Sequence, residues 1–229
     1  MQYIVTGANR GIGLEFARQL LARGDRVIAT ARRPEEADQL QKLTDDAGDR
    51  LEITGLDVTD EASIDALGTL VDERAVDVLI NNAGTMDEAG SIDDLDDELL
   101  FHDFEVNTVG PLRVVGAVLP AVERAAEPKI VNVTSKMGSI ADNTSGSSYA
   151  YRISKAGLNM ATRSMAIDLA DRGIVAFVIH PGWVETRMGG PNALIDTETS
   201  VSNMLECIDG ADEDVAGTFQ EWNGNTVPW

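Results

Sequence analysis

The sequence predicts an α/β fold: a single doubly wound domain built around a parallel sheet of about seven strands. Three features predict it. Apolar strand-like runs alternate with helix-length segments along all 229 residues. The runs are rich in Val and Ile without clean alternation, as expected for strands covered on both faces. No Pro/Ser-rich linker, low-complexity tract or internal repeat divides the chain, and its length suits one α/β domain.

In order, the strand candidates are residues 3–6, 26–31, 51–57, 76–81, 129–135, 174–179 and 217–222. Helix-length segments lie between them at 13–23, 60–74, 104–125 and 154–171. In the first of these, Leu14, Ala17, Leu20 and Leu21 recur at helical spacing, and Gly24 stands where a C-terminal cap belongs. Regular β-then-α alternation implies right-handed crossovers and therefore a parallel sheet.

Composition narrows the function. The single cysteine, Cys207, excludes a disulfide framework and a cysteine-based zinc site. With His102 and His180 as the only histidines, a His-rich metal centre is excluded too, and metal-assisted hydrolysis lacks paired His or Cys ligands. No run approaches the ~18 apolar residues of a membrane span. A strand-like segment follows Met1 directly, so no targeting peptide is expected and the protein is expected to be cytoplasmic.

Asp and Glu number 39 against 18 Lys and Arg, giving a formal charge of −21. Such a field repels phosphate backbones and disfavours nucleic-acid partners. Only four lysines (Lys42, Lys129, Lys136 and Lys155) stand beside fourteen arginines. Most carboxylates read as a solvated surface. The excess also fits a salt-rich, halophilic setting in which counterions screen the self-repulsion.

After the first strand comes Thr6-Gly7-Ala8-Asn9-Arg10-Gly11-Ile12-Gly13, then the first helix. Glycines there let the chain turn tightly and let backbone N–H groups approach a pyrophosphate at a helix N-terminus. The spacing is G-x-x-x-G-x-G, and no Gly-Lys-Ser/Thr follows, so it is not a P-loop. NAD-binding domains commonly place an acid at the end of the second strand to hold the ribose 2′-OH. Here that region reads Ala31-Arg32-Arg33-Pro34. Arg10 and Arg32, with Arg33 sharing the role or not, suit a 2′-phosphate, so NADP(H) is expected over NAD(H). The alternative is that these arginines are ordinary surface charges.

Together, Thr6-Gly7-x-x-x-Gly11-x-Gly13, Asn81-Asn82-Ala83-Gly84, Asn107, Ser135, Tyr151-x-x-x-Lys155 and Pro181-Gly182 resemble the short-chain dehydrogenase/reductase family, in order and across essentially the whole chain. Residues 135–143 and the ending from Trp222 to Trp229 are most similar to the C-factor and sniffer-type carbonyl reductase group. The resemblance implies a Rossmann-type domain, a homodimer or homotetramer paired through the long helices, and hydride transfer between NADP(H) and a small carbonyl or alcohol. The alternative it allows is a cofactor-binding signalling protein in which turnover is secondary.

Tyr151 and Lys155 are four apart on a helix, hence a turn apart on one face. A phenol with a free pKa of about 10 is a weak acid–base partner at neutral pH. A nearby ammonium and an oxidised nicotinamide are expected to lower it, so that Tyr151 donates a proton to a carbonyl oxygen. Tyr149 has Ile153 four residues on and lacks the ammonium. The resemblance implies that Lys155 also holds the nicotinamide ribose and that Ser135 bonds the substrate oxygen. It further implies that Asn107 positions a water for Lys155, although a buried structural amide is the other reading. Thr134, Ser139, Ser147 and Ser148 compete with Ser135; the family pattern over residues 134–138 selects Ser135, and a long gap to Tyr151 implies a substrate-side loop at 139–148.

Further cofactor contacts are expected from Asp57 and Val58, from Asn81, Ala83 and Gly84, and from Pro181, Gly182, Val184 and Thr186. All follow strands, where ligands bind in open α/β sheets. Asn81 could equally tie the sheet together. The segment 186–199 is either a substrate lid or a set of turns.

Overall fold

The computed structural model describes residues 1–87 and 90–229. Seven strands form one parallel sheet in the order β3-β2-β1-β4-β5-β6-β7. They are β1 (Gln2–Val5), β2 (Arg26–Ala31), β3 (Leu51–Gly55), β4 (Val78–Asn81), β5 (Lys129–Val133), β6 (Val175–His180) and β7 (Phe219–Glu221). All seven expected strands occur; β3 and β5 each end two residues early, where their C-terminal residues leave the ladder toward the site, while β4 and β7 start two residues late. The helices are α1 (Gly11–Ala22), α2 (Asp38–Gln41), α3 (Thr44–Ala47), α4 (Glu61–Val71), α5 (Asp97–Phe104), α6 (Gly110–Val122), α7 (Tyr149–Asp168) and α8 (Thr197–Asp209).

The sheet is apolar on both faces, so successive strand residues serve opposite cores. Tyr3, Val5, Val27, Val131 and Phe177 join Phe16 and Leu20 of α1 and Val201, Met204 and Ile208 of α8. Ile4, Ile28, Leu79, Ile130 and Ala176 face the other way, onto Leu67 of α4, Val114 and Val118 of α6, and Met165 of α7. Strand order reverses direction between β1 and β4, which opens a crevice at the carboxyl ends of these strands.

Three helical expectations are corrected. The helix expected at 104–125 is two α-helices, α5 and α6, joined by a π-helical turn at Glu105–Val109 that contains Asn107. Pro111 explains the turn: it has no N–H to offer the Asn107 carbonyl four residues back, and Gly110 instead donates to Glu105. The helix expected at 154–171 starts at Tyr149, so Tyr151 lies in its first turn. The end of the expected lid is the start of α8, capped by Asp196, whose side chain accepts the Thr199 N–H at 2.6 Å.

Candidate active site

The site grows out of the end of β1. Thr6 Oγ1 accepts the N–H groups of Asn82 (3.0 Å) and Ala83 (2.9 Å), while Asn82 Nδ2 donates to the carbonyls of Thr6 (2.9 Å) and Gly7 (3.2 Å). These bonds fasten the turns after β1 and β4 together. Gly7 has φ +66°, and a Cβ on Gly13 would lie 2.3 Å from the Gly7 carbonyl oxygen. Only glycine fits there. Helix α1 starts at Gly11 with no side-chain cap and no acid in its first turn. Its first N–H groups are therefore free to receive an anion.

A groove of about 1490 Å³ runs over this turn. Gly7, Asn9, Arg10, Gly11, Ile12 and Gly13 line one stretch, and Arg32, Asp57, Val58, Ala83, Gly84, Pro181 and Thr186 line others. Tyr151 and Lys155 lie in the same groove. A capless helix N-terminus between arginines and a Tyr–Lys pair suits an elongated anionic ligand of dinucleotide size, with the free N–H groups of α1 available to a diphosphate. At the arginine end, Arg33 is committed to Glu36 at 2.7 Å. Arg10 and Arg32 form no ion pair among the described residues. Burial would raise the Asp57 carboxyl, but the Thr59 hydroxyl (2.7 Å) and amide (2.9 Å) outweigh it, and Asp57 stays below the usual carboxylate range.

At the other end, Tyr151 and Lys155 are 8% and 5% exposed. Burial pushes the Tyr151 phenol up to about 12; the Ser135 hydroxyl draws it back, and the charge of Asp103 adds to the rise. Burial lowers Lys155 to about 8 against the opposite pull of Asp103. The sequence expectation that the ammonium lowers the phenol pKa is not met by the protein alone. Lys155 Nζ sits 5.8 Å from the Tyr151 ring centroid and donates to the Val133 carbonyl at 3.0 Å. Desolvation is the largest influence on the phenol, ahead of the Ser135 hydroxyl and the Asp103 charge. The phenol therefore holds its proton at neutral pH.

Ser135 follows β5 and accepts the Met137 N–H at 3.2 Å. The competing hydroxyls of Thr134 and Ser139 are committed elsewhere, to Asn159 Oδ1 and the Pro228 carbonyl, each at 2.6 Å. Asn107 does not line the groove. Its Oδ1 accepts the Thr85 N–H (2.9 Å), and its Nδ2 donates to Thr85 O (2.8 Å) and Ser154 Oγ (3.0 Å). Both side-chain arms thus clamp the segment after β4 to the helices. That places Gly84 close by: a Cβ there would be 3.0 Å from Asn107 Oδ1 and 3.5 Å from Lys155 Nζ.

Asn81, Ser135, Gly182 and Val184 also fall outside the groove lining, Ser135 standing beside the hydroxyl of Tyr151, which does line it. Asn81 is buried and donates to Asn132 Oδ1 at 2.8 Å, and Asn132 donates to Thr162 Oγ1 at 2.8 Å. Its side chain ties β4 through β5 to α7, because strand alternation turns Asn81 inward and Asn82 toward the turn. Thr6 and Asn82 stand inside the sequence motifs without an assigned role, and Thr85 lies just beyond one; all three build the site. The doublet Asn81-Asn82 at a strand end carried the signal, since only one of two neighbours can face each way. Val184 pairs with Ile195, closing the 186–196 loop into a short tongue, and Trp183 Nε1 donates to the Gly189 carbonyl at 2.7 Å. The 139–148 loop is held by Arg152, which donates to the carbonyls of Gly146 and Ser147 at 3.0 Å each. His180 offers no general base: burial, reinforced by Lys136 and opposed by Asp142, lowers it to about 4.

A family model described as short chain dehydrogenase matches residues 2–194. The C-signal protein of Myxococcus xanthus is 47% identical over 164 residues, covering 72% of this chain and 99% of that one. Carbonyl reductase Sniffer of D. melanogaster superposes with a TM-score of 0.95 at 32% identity, covering 100% of this chain and 99% of the other. The NADPH-bound carbonyl reductase from chicken fatty liver superposes with a TM-score of 0.94 at 37% identity, covering 100% and 98%.

The inward placement of Asn81 has a measurable consequence. Asn81→Ala removes a buried hydrogen bond and is expected to lower unfolding stability by about 1–3 kcal/mol. Dinucleotide affinity should stay within about twofold, because the amide is tied to Asn132 and not to the groove. Chemical denaturation and fluorescence titration of the same samples check both.

Proposed function

The chain belongs to the short-chain dehydrogenase family, and on that footing we propose that it reduces a small aldehyde or ketone to an alcohol, with NADPH preferred over NADH. The observation that carries the reading is the buried, protonated Tyr151 beside Lys155 at one end of a dinucleotide-sized groove. The likeness to two carbonyl reductases, one with NADPH bound, supports the substrate class.

A reduced nicotinamide supplies the hydride when bound. Ser135 holds the carbonyl oxygen, and Tyr151 delivers its proton to that same oxygen as the carbonyl carbon is reduced. Lys155, with a pKa near 8, keeps positive charge beside the tyrosine at neutral pH and so stabilises the phenolate left behind. Asn107 serves by clamping Thr85, which fixes the floor on which Gly84 and Lys155 meet. Arg10 and Arg32 take the 2′-phosphate; Arg33, neutralised by Glu36, is the lesser contributor. The tongue at 186–196 closes over substrate as a lid, and Met188 and Leu194 on it with Trp183 at its base, each at least half exposed, give that lid an apolar surface.

Phe101, Leu112, Met160 and Ile167 leave apolar surface on α5, α6 and α7, which supports pairing into a homo-oligomer. A signalling role with incidental turnover is the weaker reading, because a buried Tyr–Lys pair costs stability that cofactor binding alone does not require.

Tyr151→Phe should lower kcat for carbonyl reduction by at least about hundredfold while the NADPH dissociation constant stays within about twofold. A panel of aldehydes, ketones and quinones followed by NADPH oxidation measures it; retained turnover would defeat the assignment. Arg32→Glu should weaken NADPH by at least about tenfold and NADH far less. Equal losses for the two coenzymes would defeat the stated preference.

A further inference from the structure

Asp103 takes no direct part in the chemistry above, although its charge reaches Tyr151 and Lys155, and it is the most demanding side chain near them. The residue is 0% exposed, and among the described residues neither carboxylate oxygen has a hydrogen-bond partner of normal geometry. An unpaired buried carboxylate is costly, and proteins meet that cost with a proton, a cationic side chain or a metal ion. No lysine or arginine pairs with Asp103 among the described residues. Asp87, from the segment after β4, lies against it, as does His102, its neighbour on α5. The Asn107–Thr85 clamp holds that segment onto the helix, so the convergence is built into the fold.

We propose that Asp87, His102 and Asp103 form a binding site for one divalent transition-metal ion, of the Mn²⁺ or Zn²⁺ class, at the rim of the dinucleotide groove. One ligand atom from each lies within 4.8 Å of the others. His102 Nδ1 and Asp87 Oδ2 already stand 2.8 Å apart, so these two have a partner in each other and Asp103 is the one left over. An ion drawn between them takes an oxygen from each carboxylate and the imidazole nitrogen. Two carboxylates and one imidazole suit Mn²⁺ or Zn²⁺ better than Ca²⁺ or Mg²⁺, which favour oxygen donors throughout. Asp87 and His102 line the groove, whereas Asp103 closes the site from beneath. The open coordination positions therefore face solvent in the groove and take water. The site uses none of Ser135, Tyr151 or Lys155 as ligands, so metal binding can be read apart from carbonyl reduction, although the Asp103 charge reaches the last two.

The test is a titration of the chelator-treated full chain with MnCl₂, with free Mn²⁺ read by electron paramagnetic resonance. One Mn²⁺ per chain should bind and be displaced by ZnCl₂. Asp103→Asn should weaken binding by at least about tenfold, since even outer-shell losses at metal sites commonly cost that much. His102→Gln changes a half-exposed ring, leaves the core alone and should weaken binding in the same direction. Asp93→Asn, in a neighbouring acidic stretch, should leave it unchanged. Uptake that is equal in wild type, Asp103→Asn and His102→Gln overturns the proposal, as does no uptake at millimolar MnCl₂.

Discussion

A phenol and an ammonium are buried together at the carboxyl end of a parallel sheet, and the surrounding site is shaped by that constraint. Neither group gains from burial. Moving the phenol from its usual pKa to about 12 and the ammonium to about 8 corresponds to differences on the order of a few kcal/mol between their charged and neutral forms. The fold holds them by over-determination. Lys155 is pinned by the Val133 carbonyl, Tyr151 is locked into the first turn of α7, and Ser135 stands beside the phenol. Burial keeps the proton on Tyr151, which is the form a proton donor needs. The positive charge held beside it favours that proton leaving only when negative charge develops on the oxygen.

Much of this was legible because it is local. The glycine turn, the four-residue Tyr–Lys spacing and the alternation of strands and helices are short-range patterns, and each lies where the spacing put it. What was not legible depends on direction or on distant partners. The π-helical turn follows from Pro111 withholding an N–H from Asn107, yet the segment reads as continuous helix by apolar periodicity alone. Helix α8 carries Val201, Met204, Leu205 and Ile208 at helical spacing, but its polar first turn reads as loop. Asn81 and Asn82 carry identical side chains, and only the register of β4 against β1 and β5 decides which one faces the core. The electrostatic sign at Tyr151 was missed for the same reason: sequence spacing reports that a lysine is near, not how dry the pocket is.

The charge of the chain sharpens the groove. Against a formal −21, Arg10 and Arg32, without ion pairs among the described residues, at one end and Lys155 at the other mark out where anionic parts of a ligand belong. The first turn of α1 between them carries no acid, so the helix N-terminus keeps its full pull on a diphosphate. Asp87 and Asp103 stand out against this background as carboxylates placed inside the site region and not on the solvated surface.

The central claim is that burial, not the neighbouring ammonium, sets the resting protonation state of Tyr151. It is tested most directly by ¹³Cζ-tyrosine NMR on the coenzyme-free protein, which has only three tyrosines to assign. The account predicts that the Tyr151 resonance keeps its phenol position beyond pH 10, consistent with a pKa of about 12. A shift to the phenolate position between about pH 6 and 9, near or below the ordinary tyrosine range, would contradict it.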